Sequence, residues 1–145
     1  MAVYLDGDVS GRCIAVGKII FTSNSKKLFD LALDAGEENV EAAVEAGAKL
    51  LKTYTYNKGR AMGVKRTGDT LGALTVKAPK KGADGWECYV TYTGRNRKGN
   101  RNAEVAFINE YGKRHQPARA FNRLAVETGE QAIVQRMGDV LLKEK

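Results

Sequence analysis

The chain is poor in the residues that staple, ligate and catalyse. Its 145 residues include two cysteines, two prolines, one histidine and one tryptophan. Cys13 and Cys88 are too few for a disulfide framework, and their spacing fits no zinc motif. They read as reduced thiols, with Cys88 a small core residue. The lone histidine, His115, lies in a basic turn, and no Ser-His-Asp, Cys-His or metal-ligand pattern accompanies it. No apolar run approaches the roughly 20 residues needed to cross a bilayer. The start lacks the basic and then apolar layout of a secretory signal. The expectation is a non-enzyme, without cofactor or metal and without a membrane partner, made and used inside a cell.

What the chain does have is charge, unevenly placed. Lys plus Arg number 24 and Asp plus Glu 17, a formal net charge of +7. Residues 1–50 hold five basic and eight acidic side chains, a net of −3, whereas residues 51–100 hold eleven and three, a net of +8. A basic middle suggests an anionic neighbour, either nucleic acid or an acidic protein face. The hydrophobic fraction, 43%, is ordinary for a globular domain with a real core.

Hydrophobic periodicity outlines an α+β fold. Val3-Tyr4-Leu5 and Arg12–Phe21 read as strands of an N-terminal arm, residues 1–22, the second interrupted at Gly17 and Lys18. Ser23-Asn24-Ser25 is a helix N-cap cluster, and Gly36 a break. Val40, Ala43, Val44, Gly47, Leu50, Leu51 and Tyr54 then fall on one helical stripe, with glutamates near its start and lysines near its end. Residues 57–70 read as a Gly-rich basic loop, but Gly59, Gly63 and Lys65 lack the spacing of a nucleotide-binding loop. Leu74, Val76 and Ala78 alternate with polar residues, as do Trp86, Cys88, Val90 and Tyr92. Two further turns, 79–85 and 94–102, complete a three-stranded antiparallel meander whose last strand begins at Ala103. A closing helix is predicted from about Pro117 to Leu142. Both long helices should pack on one face of the sheet.

The stretch Ala103–Glu127 links that last strand to the closing helix. Val105 and Phe107 alternate with Glu104 and Ala106, Gly112 stops the strand, and Pro117 opens the helix. Phe107 packed on Phe121 is the predicted centre of the core, with Tyr111, Gly112 and Pro117 as its structural neighbours. The order apolar strand, Asn-Glu-Tyr-Gly, basic turn, Pro-Ala-x-x-Phe-x-x-x-Ala resembles the signature of the tail-completion, or head–tail joining, proteins of long-tailed bacteriophages. Glu110, Tyr111, Gly112, Pro117, Ala118, Phe121, Arg123 and Ala125 match that signature; Lys113, Ala120 and Leu124 depart from it. Thr67-Gly68 followed by Leu71 resembles the family's Thr-Gly-x-Leu element with one extra residue between. The agreeing segments run in order over residues 24–142.

The resemblance implies a structural protein of the virion neck, assembled in the host cytoplasm. Such proteins form a ring, typically of six copies, at the head-proximal end of the tail. The implied partners are further copies of the chain, the head connector, and the tail tube or its terminator. Genomic DNA passes through the lumen without sequence-specific binding. A tail terminator of similar fold is a close variant, and a small basic nucleic-acid-binding protein is the rival from another class. Lys52, Tyr54, Tyr56, Lys58 and Arg60 interleave cations and rings in a manner known from single-strand binders. Arg95, Arg97, Lys98 and Arg101 crowd one loop, and Lys113 and Arg114 one turn. These six cations are the candidate interface residues, with an acidic protein surface the favoured partner.

Overall fold

In a computed structural model, residues 2–4, 15–20, 36–64, 68–83 and 85–143 are described. The helix predicted to start at Ser23-Asn24-Ser25 lies outside them. Two short strands, β1 (Ala2–Tyr4) and β2 (Ala15–Ile20), precede a 25-residue helix, α1 (Glu37–Ala61). A single turn of helix, α2 (Asp69–Gly72), leads to strands β3 (Leu74–Val76), β4 (Lys80–Gly82) and β5 (Gly85–Tyr92). Two helices close the chain, α3 (Asn102–Tyr111) and α4 (Phe121–Lys143). The fold is α+β, an antiparallel sheet with both long helices against it.

β5 is the middle of the sheet. One edge pairs with β2, which in turn carries β1. Along the other edge β3 and β4 follow one another, pairing Val76 with Val90 and Lys80 with Glu87. Pro79 sits at the break between them, where a residue without an N–H removes no ladder bond. A register shift in β2 falls between Ala15 and Gly17, beside the expected interruption.

The period-2 pattern of β5 turns Cys88, Val90 and Tyr92 toward the helices, and all three are buried. Val40, Ala43, Val44, Ala48 and Leu51 of α1 meet them, as the sequence stripe predicts. α1 and α4 share the broadest contact between described elements. Gly129 makes it close: a Cβ there would stand 3.0 Å from the Tyr54 ring. Tyr54 thus packs on a helix rather than standing ready for a base.

Three expectations fail, each for a physical reason. The stretch after Ala103 is a helix, not a strand. Asn102, Ala103, Ala106, Asn109 and Glu110 are its buried residues, a helical spacing, and the Val105/Phe107 alternation is coincidental. Phe107 consequently stands on the outer face, 40% exposed, while Phe121 is wholly buried. Tyr111 is 56% exposed and Pro117 is exposed as well, so neither belongs to the core. Gly112 does stop the element, but as the end of a helix: its φ is 79° and its N–H donates to the Ile108 carbonyl. Secondly, Lys58-Gly59-Arg60 is not loop but the last turn of α1. Gly59 is needed there because a Cβ would collide with Leu71 and Phe121. Lastly, α4 starts at Phe121 instead of Pro117, because residues 119 and 120 bond to α3: Arg119 N–H to Asn109 O at 2.8 Å and Ala120 N–H to Glu110 O at 3.1 Å.

Candidate assembly interface

The signature residues meet at the junction of α3 and α4. The first helical bond of α4 runs from Leu124 N–H to Ala120 O, so Ala120 is the N-cap. Alanine has no side-chain acceptor for the orphan N–H groups of the first turn. Glu110 supplies it from the preceding helix: its Oε2 accepts from Asn122 N–H at 2.8 Å and its Oε1 from Arg123 N–H at 3.1 Å. The carboxylate is buried, and the positive end of the helix dipole compensates its charge. Tyr92 donates its hydroxyl to Asn122 Oδ1 at 2.8 Å, tying the cap to the sheet. Burial, with the nearby Glu110 charge second, holds that hydroxyl well above the ordinary tyrosine range.

Asn109 organises the other side. Its Nδ2 donates to Val105 O at 2.8 Å, and its Oδ1 accepts from Arg119 Nη1 at 3.0 Å. The same Arg119 nitrogen lies 3.1 Å from Gly63 O, linking the segment to the end of α1. Between these anchors, residues 113–116 make a closed turn, with Lys113 and Gln116 exchanging both backbone bonds. His115 has φ 68° at its tip and is exposed. Gly112 is wedged beneath, 2.8 Å from Gln116 O at the position a Cβ would take.

The Gly94–Asn102 loop joins β5 to α3 rather than two strands. It is internally bonded: Arg95 Nη1 donates to Gly99 O at 2.7 Å, Asn96 Oδ1 accepts from Lys98 N–H at 2.9 Å, and Arg95 bridges Arg101. Arg97 Nε lies 3.3 Å from Asp69 Oδ1, so one of its cations does find an acidic partner within the chain. The loop therefore has a defined shape, held by its own bonds and by Asp69. Beside it opens a cleft of about 710 Å³. Arg97, Lys98, Arg119, Asn96, Asn109 and Gln116 are among its lining residues. Thus the structure gathers Arg97 and Lys98 with Arg119, which the sequence reading did not single out. Lys113 and Arg114 stand exposed in the following turn, and the cleft lining does not include them.

α3 also displays a ring pair that sequence reasoning placed inside. Phe107 and Tyr111, one turn apart, have centroids 4.7 Å apart and rings tilted by 47°. Their spacing was legible once the segment is a helix. Arg60 lies over the Tyr56 ring at 5.9 Å, which occupies one of the aromatics in the interleaved stretch. Cys88 is buried in the core, its thiol donating to Lys77 O at 3.1 Å. Among the described residues no three His, Cys, Asp or Glu side chains gather as a metal site, and no helix is long and apolar enough to cross a membrane. Comparison of the chain with protein-family models, curated proteins and solved structures gave no match.

Proposed function

We propose that the chain is a structural neck protein of a long-tailed bacteriophage. It forms a ring at the head-proximal end of the tail and joins the tail to the head connector. The role is assembly, with no chemical step, and DNA passes through the lumen without being read. One observation supports this reading: five of the signature residues, Glu110, Gly112, Pro117, Ala118 and Phe121, build one junction. Glu110 caps the helix that Phe121 opens, Gly112 permits the turn that brings them together, and Pro117-Ala118 lies against Gly112. Once that junction is built, what remains on the outside is Phe107, Tyr111, Lys113, Arg114 and the basic loop, a surface suited to protein contacts.

Electron microscopy of particles lacking this chain tests the proposal. Complete tails of normal length beside unattached heads are the expected result. Tails of uncontrolled length would move the chain to the neighbouring role of terminator. Normal joined particles would remove it from the neck altogether.

A further inference from the structure

Glutamates 37–45 and the cations of the cleft stand at the two ends of one rod. Glu37, Glu38, Glu41 and Glu45 all belong to the start of α1. At ~100° per residue they share about a quarter of the helix circumference. Each is exposed or half-exposed. Dipole compensation accounts for Glu37 and Glu38 in the first turn but not for Glu41 and Glu45, which continue the same stripe. The cleft lies at the opposite end, where Gly63 and Val64 follow α1. Its ionic lining is Arg97, Lys98 and Arg119 against Asp69, and Asp69 is already engaged by Arg97. Lys58 and Arg60 in the last turn of α1 add to the basic end.

Helix length decides what these ends can do. The 25 residues of α1 make a rod of about 37 Å at ~1.5 Å per residue. That is several times the screening length of roughly 8 Å at physiological salt, so the two ends do not neutralise each other within one molecule. In two molecules they can meet. We propose that the basic cleft receives the acidic stripe of α1 from a second copy of this chain, head to tail. The cleft is concave and about 710 Å³, and a helix ridge is convex. Amide side chains of Asn96, Asn109 and Gln116 line the cleft and can donate to carboxylates between the cations. Glu37 is held by Lys81 and Glu45 by Lys49, both exposed pairs of small strength that an incoming cation can exchange. A contact between unlike patches leaves one of each free, so it repeats and closes into a ring or continues as a filament. This names the self-contact of the neck reading and rests on it only for the ring.

Charge reversal tests it. One variant carries Glu41→Lys with Glu45→Lys, the other Lys98→Glu with Gln116→Glu. Sedimentation of the wild type over a concentration series should show salt-sensitive self-association. Each variant alone should associate at least about tenfold more weakly, because like charges then face each other. Mixing the two should restore association, since a lysine stripe now meets a glutamate cleft and the unaltered patches still match. That rescue also shows both variants are folded. The milder pair Glu41→Gln and Lys98→Ser, expected to give smaller losses in the same direction, serves if a reversal unfolds the chain. Association of either variant at wild-type strength, or no rescue on mixing, overturns the contact while leaving the neck reading intact. A wild type that stays monomeric throughout overturns it too. Loss of salt-sensitive DNA retention by the Lys98 variant, with association unchanged, would assign the cleft to nucleic acid instead. Failure of the neck reading shows separately, in particles that join without the chain.

Discussion

Replacing Glu110 by Gln keeps the size of a buried side chain and removes one charge. The carboxylate accepts two backbone N–H groups of the first turn of α4, at 2.8 and 3.1 Å. The glutamine has one carbonyl oxygen, so one N–H loses its partner and faces an amide NH₂. Leaving a buried donor unmade costs about 1–3 kcal/mol. Losing a negative charge at a helix N-terminus costs about 0.3–1 kcal/mol, and up to ~2 when partly buried. Against this, a neutral side chain is cheaper to bury than a carboxylate. The expected net loss is about 2 kcal/mol, and about 3–4 kcal/mol for Glu110→Ala, which orphans both donors and opens a cavity. Urea titration should show a lower midpoint with an unchanged slope. Added salt should leave most of the difference in place, because the group is buried. Amide exchange gives the local readout: Asn122 and Arg123 should lose protection before the rest of α4. A loss under about 0.5 kcal/mol for both variants would refute the cap, and equal protection of those two amides would do so independently.

Phe121→Ala should cost about 3–5 kcal/mol, as large core truncations do, whereas Phe107→Ala should cost under about 1 kcal/mol by the same titration; comparable losses would mean the two rings are wrongly placed. Burial, with the Glu45 charge second, pushes the Cys88 thiol up to about 11 from 9.0. The folded state therefore keeps a proton that the unfolded chain releases, so stability should fall as pH rises from about 9 to 11, by up to ~2–3 kcal/mol from this group, with Tyr92 acting in the same direction. Chemical denaturation across that range checks it, and Cys88→Ala should flatten the slope; a stability independent of alkaline pH would refute the burial argument.

The sequence by itself determined the class of fold and its two longest helices. Val40 to Leu51 repeat at helical spacing over about three turns, and Trp86 to Tyr92 alternate cleanly, so either pattern is carried by the backbone period alone. It also marked Gly112 as a stopping point, because a positive φ is a local property of one residue. The tertiary structure decided what such short windows leave ambiguous. Ten residues from Asn102 to Tyr111 admit a strand or a helix by pattern. The helix wins because it alone lays Ala103 and Ala106 on the core and aims Glu110 at the start of α4. That same choice turns Phe107 and Tyr111 outward. Gly59 looked like a breaker, yet it continues α1 since Leu71 and Phe121, distant in sequence, occupy the space a side chain would need. Charge totals were legible from the start. The placing of the cleft at the far end of α1 from Glu37–Glu45, and the gathering of Arg119 with Arg97 and Lys98, follow from long-range packing, which brings together residues that no local period relates.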